Sequence, residues 1–309
     1  MKRNTKILTV LLIIFLVFIT GCGKEKTNTK YKIVATNFPG YDFARAIIKD
    51  VDDISVKMLL KPGTEMHHYE PTPQDIIDIK ESDIFIYVGG ESDSWIEEIL
   101  NDIDTSKTKI IKLIDYVDLY KEEIVEGMQG QSEDEYDEHI WTSPKNAIDI
   151  VKKIGEEISN LNKDNQEKYL ENAKNYIDEL NSLDEEIREI VNTSKRKELV
   201  FGDRFPLRYF TKEYNLTYRG AFLACSEQSE ASSKTIAYLI NYVKENNIPV
   251  VFKIELSSGN IANTISEETG ATVLEFHSLH NISENDFKNG LTYIDLMKKN
   301  ISALKIALN

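Results

Sequence analysis

From Tyr31 onward, short runs of β-branched and aromatic residues alternate with stretches in which apolar positions recur every three or four residues. Runs of the first kind, bounded by polar turns, read as strands, and the three-to-four spacing reads as helices with one buried face. The pattern predicts strands over residues 31–35, 55–60, 84–88 and 109–113, separated by helices over 41–49, 74–80 and 94–100. After a polar stretch at 122–138, Ser143 as N-cap and Pro144 at the first helical position predict another helix start. Such strand-helix alternation implies a parallel sheet flanked by helices.

Residues 165–192 break this rhythm. Leu170, Ala173, Ile177, Leu180, Leu183, Ile187 and Ile190 follow one another at threes and fours with no Pro or Gly between them. They predict one amphipathic helix of about 40 Å, at ~1.5 Å per residue. Strands resume at 198–201, 216–219, 250–254 and 272–276, with a helix centred on Ile236, Leu239, Ile240 and Val243 behind the N-cap Ser232. The fold class is therefore α/β, with two lobes, each a mainly parallel sheet flanked by helices, joined by one long backbone helix. The expected boundaries are 31–163 for the first lobe, 164–193 for the linking helix and 194–309 for the second lobe.

The N-terminus sets the compartment. Lys2, Arg3 and Lys6 precede an apolar run over 7–19, the two parts of a secretory signal, expected at 1–21, and the run is too short to cross a bilayer comfortably. Its end, Ile19-Thr20-Gly21-Cys22, resembles the lipobox of a bacterial lipoprotein, in which the Cys is acylated and opens the mature chain. Residues 22–30 then form a polar tether, and the chain is expected on the extracytoplasmic face of the cell membrane, held to the bilayer through Cys22. Only Cys225 remains besides Cys22, so no intrachain disulfide is expected, and no nearby cation activates its thiol. A net charge of −15 without a Lys/Arg cluster excludes a nucleic-acid partner.

All histidines fall in three short places: His67 with His68, His139, and His277 with His280. His67 and His277 follow predicted strands, as do Asp203 and Glu255, and the region beyond the carboxyl ends of parallel strands is where open α/β sheets bind ligands. His67 and His139 precede the long helix, and Asp203 and His277 follow it. Three imidazoles and one carboxylate meeting between the lobes make a tetrahedral, zinc-type set, whereas an oxygen-rich set favours manganese. A zinc-dependent hydrolase is disfavoured, because no H-E-x-x-H occurs and protein side chains alone fill the coordination sphere. A surface adhesin finds no repeat, aromatic patch or recognition motif to support it.

Two segments, KPGTEMHHYEPTPQD at 61–75 and DEHIWTSP at 137–144, resemble motifs of the cluster A-I (cluster 9) solute-binding proteins. These are the zinc- and manganese-capturing subunits of ABC importers. The resemblance implies two lobes on a single helical strut, with the metal held in the cleft by four side chains. His67 and His139 match the first two ligand positions, with His68 as a neighbour. Asp203, in FGDRFPLRYF, matches the third, where the family usually has His or Glu, and His277, in EFHSLHN, the fourth, where it usually has Asp. His280 and Glu255 are the alternatives there. The implied cargo is Zn²⁺, with Mn²⁺ as the other reading, and the implied partners are the permease and ATPase of the importer. A monomer with no catalytic function is expected. Zinc-specialised members often carry a His-rich loop in the first lobe, but here residues 122–138 are acidic and contain no His, which reads as a solvated insertion.

Overall fold

The computed structural model describes residues 29–65, 69–130, 135–224, 226 and 230–309. The signal segment, Cys22, His67, His68 and Cys225 lie outside the described residues. Strands β1 (Tyr31–Ala35), β2 (Ile54–Met58), β3 (Ile84–Tyr87) and β4 (Lys109–Lys112) form a parallel sheet in the order β2-β1-β3-β4. Parallel neighbours need crossovers, which α1 (Phe38–Ile47), α2 (Pro73–Lys80) and α3 (Ser94–Leu100) provide. Helix α1 starts three residues before the sequence pattern predicts, because Asn37 accepts the Gly40 N–H and Pro39 occupies the first turn.

Helix α4 (Pro144–Leu161) begins where expected, with the Ser143 hydroxyl accepting the Asn146 N–H, and α5 (Gln166–Thr193) is the long strut. Its buried face carries Tyr169, Asn172, Ala173, Tyr176, Leu180, Leu183, Ile187 and Ile190. Leu170, expected on that stripe, is 45% exposed, since the buried face begins at Tyr169 instead.

The second lobe contains β5 (Glu198–Val200), β6 (Arg204–Phe205), α6 (Arg208–Glu213), β7 (Thr217–Arg219), β8 (Phe222–Leu223) and α7 (Ser233–Glu245). It continues with β9 (Val250–Lys253), α8 (Asn260–Thr269), β10 (Thr272–Glu275), α9 (Glu284–Lys288) and α10 (Tyr293–Leu308). Strand β5 pairs in parallel with β7, β9 with β10, and a Phe201–Phe252 bridge sets β5 beside β9. The resulting order, β7-β5-β9-β10, repeats that of the first sheet. Gly202 ends β5 where α8 crosses it, and a Cβ there would lie 2.5 Å from Ala262 Cα.

One hydrophobic core runs through both lobes, from Ile33 and Phe43 through Leu180 of the strut to Phe252 and Leu304. A buried polar node sits inside it. Asp42 Oδ2 accepts hydrogen bonds from the Tyr176 hydroxyl and the Tyr293 N–H, both at 2.9 Å, while Oδ1 pairs with Arg45. Burial pushes the Asp42 pKa up, and Arg45, Tyr293 and Tyr176 oppose the shift. Because the carboxylate ties α1, α5 and α10 together, its removal strands several buried donors. Asp42→Ala is expected to lower stability by about 3 kcal/mol or more, against about 1 kcal/mol for Tyr176→Phe. Urea denaturation of the two variants checks that ordering.

Candidate metal centre

The centre is built at the carboxyl ends of the strands, from loops that the two sheets hold close together. His139 lies just before α4, in a short turn that orders the backbone from Ile140 to Ser143. Its N–H donates to Asp137 Oδ1 at 2.7 Å, and its ring Nδ1 lies 3.0 Å from the same oxygen. A carboxylate only accepts, so Nδ1 carries the proton and Nε2 presents the lone pair that a metal would take. Asp137 is itself fixed from behind, its carbonyl accepting the Tyr209 hydroxyl at 2.7 Å.

His280 comes from the second lobe. Its ring meets His139 edge-to-face at 4.9 Å and lies 5.0 Å from Trp141. The loop that delivers it is braced at each step. His280 N–H donates to Ser278 Oγ at 3.3 Å, and Ser278 in turn donates its N–H, at 2.6 Å, and its hydroxyl to the buried Glu255 carboxylate. Leu279 holds a left-handed φ of 65°, a conformation that costs energy for a γ-branched residue. Burial of its side chain and a 3.0 Å bond from its N–H to His277 Nδ1 offset that cost.

Glu138 completes the cluster. One ligand atom from each of Glu138, His139 and His280 lies within 4.8 Å of the others, and all three residues are buried. The Glu138 carboxylate accepts from the Ser92 N–H at 3.2 Å and from the Ser92 hydroxyl. Gly90 leaves it room, since a Cβ at that position would lie 2.5 Å from Glu138 Cβ. A cavity of about 20 Å³ opens onto His139 and His280, bounded also by Glu65, Arg204, Glu255 and Ser278. That is space for about one water-sized occupant.

The residues expected from the second half of the chain are divided by the fold. His280 reaches the cavity. His277 does not line it: the residue is buried behind, with its N–H and carbonyl bound to the Asn300 side chain at 2.7 and 2.8 Å. Its Nδ1 lies 3.5 Å from Glu255, but the shorter contact from Leu279 N–H engages that lone pair, so His277 shapes the loop. Asp203 also lies outside the cavity's lining, accepting from the Arg204 N–H at 2.9 Å and the Ile254 N–H at 3.4 Å. It borders a neighbouring space of about 250 Å³ together with Glu65, Arg204, Glu255 and Ser257. Burial raises its pKa, against hydrogen bonds from Ser257 and the backbone. Glu255 borders both spaces. Sequence reasoning passed over Glu138 and Arg204, although Glu138 stands inside the DEHIWTSP segment and Arg204 follows Asp203 directly.

Paired α/β lobes on a helical strut, with imidazoles and carboxylates gathered where their loops meet, are the features of the two-lobed solute-binding class. The chain belongs to the family described as "Zinc-uptake complex component A periplasmic", which it matches over residues 33–307. It is 33% identical over 311 residues to the zinc-binding lipoprotein AdcA of Streptococcus pneumoniae, covering 99% of this chain and 61% of the relative. It thus spans about three-fifths of that protein's length. The high-affinity zinc uptake system protein ZnuA of Bacillus subtilis is 32% identical, with 94% of this chain and 93% of the relative covered. The Zn(II)-bound ZnuA-like domain of Streptococcus pneumoniae AdcA superposes with a TM-score of 0.76 at 31% identity, covering 90% of this chain and 99% of that one.

Burial disfavours the His139 imidazolium, but the carboxylates of Asp137, Glu138 and Glu122 outweigh it and raise the pKa above the usual histidine value. The imidazolium therefore stabilises the metal-free fold below the unfolded-state pKa of about 6.5, and this contribution is lost as pH rises through the higher folded value. Asp137→Asn should lower the His139 pKa in the metal-free protein, as read from its ring C–H shifts by NMR. An unchanged value would mean that Asp137 does not govern the ring.

Proposed function

We propose that this chain captures a divalent transition metal, zinc in preference to manganese, in the cavity between its lobes and delivers it to an ABC importer. The clustering of Glu138, His139 and His280, whose two imidazoles open onto a one-ion space, carries this reading. His280 takes the place that the sequence pattern gave to His277, and His67 supplies a further imidazole. Two or three imidazoles with one carboxylate form a borderline-soft set that suits zinc better than an ion preferring oxygen. The zinc-related names of the relatives agree with that donor chemistry.

The remaining parts of the reading follow from the compartment. Residues 1–21 direct export, Cys22 carries lipid, and 22–30 tether the folded chain to the outer face of the membrane. There it meets the permease and ATPase of the importer as a monomer with no catalytic role. Domain limits of 31–163, 164–193 and 194–309 fit this scheme. Loading closes the cleft by a small tilt, because a single helical strut resists wide bending.

Calorimetric titration of residues 23–309 with Zn²⁺ and Mn²⁺ tests the reading. One zinc should bind per chain, more tightly than manganese. His139→Ala and His280→Ala should each lose at least the roughly 100-fold that displacing a supporting partner of a ligand can cost. Affinity should also fall as pH drops, because the imidazoles must be neutral to coordinate. Zinc binding that survives both substitutions would defeat the proposal.

A further inference from the structure

Glu138 belongs to the histidine cluster and Glu65 and Glu255 border its cavity, and the partners of these three carboxylates differ in kind. Glu138 is held by the N–H and hydroxyl of Ser92, and Glu255 by those of Ser278. Both are buried and fixed by neutral donors. Glu65 alone among them is substantially exposed, its side chain at 42%, and it sits on the loop after β2. It is therefore the carboxylate with freedom to turn. A full positive charge restrains it: Arg204 Nη1 donates to Glu65 Oε2 at 3.1 Å, across the two lobes.

Arg204 is an unexpected side chain for this position. Its guanidinium is 13% exposed and borders the same cavity as His139 and His280. Its buried Nε–H finds no hydrogen-bond partner among the described residues. A buried donor left unmatched lowers stability, so packing alone does not account for it. Nor can an arginine coordinate a metal, because it has no lone pair to give. The neighbouring Asp203 accepts from the backbone N–H groups of Arg204 and Ile254, while the guanidinium Nη1 is given to Glu65. Glu65 and Arg204 also border the adjoining larger space, so the pair stands on the wall that the two cavities share.

We propose that Arg204 is a specificity-determining residue: by pairing with Glu65 it holds this exposed carboxylate on the cavity wall and keeps it from turning onto an ion beside the imidazoles, and so biases the site toward zinc over manganese. The proposal rests on the metal-capturing function given above. Zinc is satisfied by about four nitrogen or oxygen donors. Manganese prefers a larger, oxygen-rich shell, so an added carboxylate benefits it more. The pair thus acts by subtraction, keeping the donor set small and rich in imidazole.

Competitive titration with Zn²⁺ and Mn²⁺ on the full mature chain tests this with Arg204→Gln, Arg204→Lys and the double variant Arg204→Gln/Glu65→Gln, each verified as folded by circular dichroism. Arg204→Gln should raise manganese affinity relative to zinc by about tenfold or more, judged by the cost of misplacing a ligand's supporting partner. Arg204→Lys, which keeps the charge, should change the ratio less. The double variant, lacking the released carboxylate, should return toward the original ratio. An unchanged ratio in Arg204→Gln, or a raised ratio that persists in the double variant, overturns the proposal. Failure of the unsubstituted chain to bind either ion would instead defeat the underlying function, which keeps the two failures distinct.

Discussion

The buried carboxylate of Asp42 is the point on which the two halves of the molecule are fixed to one another. It receives Tyr176 from the strut and Tyr293 from the start of α10, while its own helix packs on the first sheet. From there hydrogen bonds lead residue by residue toward the candidate metal centre. The Tyr293 hydroxyl donates to the Trp141 carbonyl at 2.7 Å, and Trp141 Nε1 donates to the Ser278 carbonyl at 2.9 Å. Ser278 then donates to Glu255. Each link is buried, where hydrogen bonds are strong and an unmade one is costly. The placement of His280 against His139 is thus continuous with the joint that positions the lobes.

The supporting groups matter here as much as the candidate ligands they hold. His139 has its tautomer set by Asp137, and His280 has its approach set by Ser278 and Glu255. Charge around the cavity is similarly arranged, with neutral donors holding Glu138 and Glu255 and a guanidinium holding Glu65. Groups behind potential ligands fix their tautomer and orientation, and here those groups are Asp137, Ser278, Glu255 and Arg204.

Much of the frame was legible in the sequence because its signals are local. Strand-like runs in both lobes fall within a residue or two of the observed β1, β3 and β9, and Ser143 and Ser232 cap the helices they were expected to cap. The short β6 and β8 and the terminal α10 went unread, since two-residue strands have no periodicity and α10 is apolar on several sides. At the centre, DEHIWTSP led directly to His139. The pair His277 and His280 could not be resolved by position along a strand, because the choice depends on the left-handed turn at Leu279 and on Asn300, a side chain distant in sequence. Asp203 and Arg204 pose the same difficulty, where one residue step decides which side chain faces the cavity.

The order β2-β1-β3-β4 recurs as β7-β5-β9-β10, so the two lobes offer equivalent sets of loop positions facing a common centre. What differs is the cargo of those loops: a Glu138-His139 turn on one side, a His280 loop and Arg204 on the other. The hydrogen bonds that join Asp42 to the strut and to α10 include neither Glu65 nor Arg204 at the rim, so a change in that pair leaves the frame's own buried bonds in place.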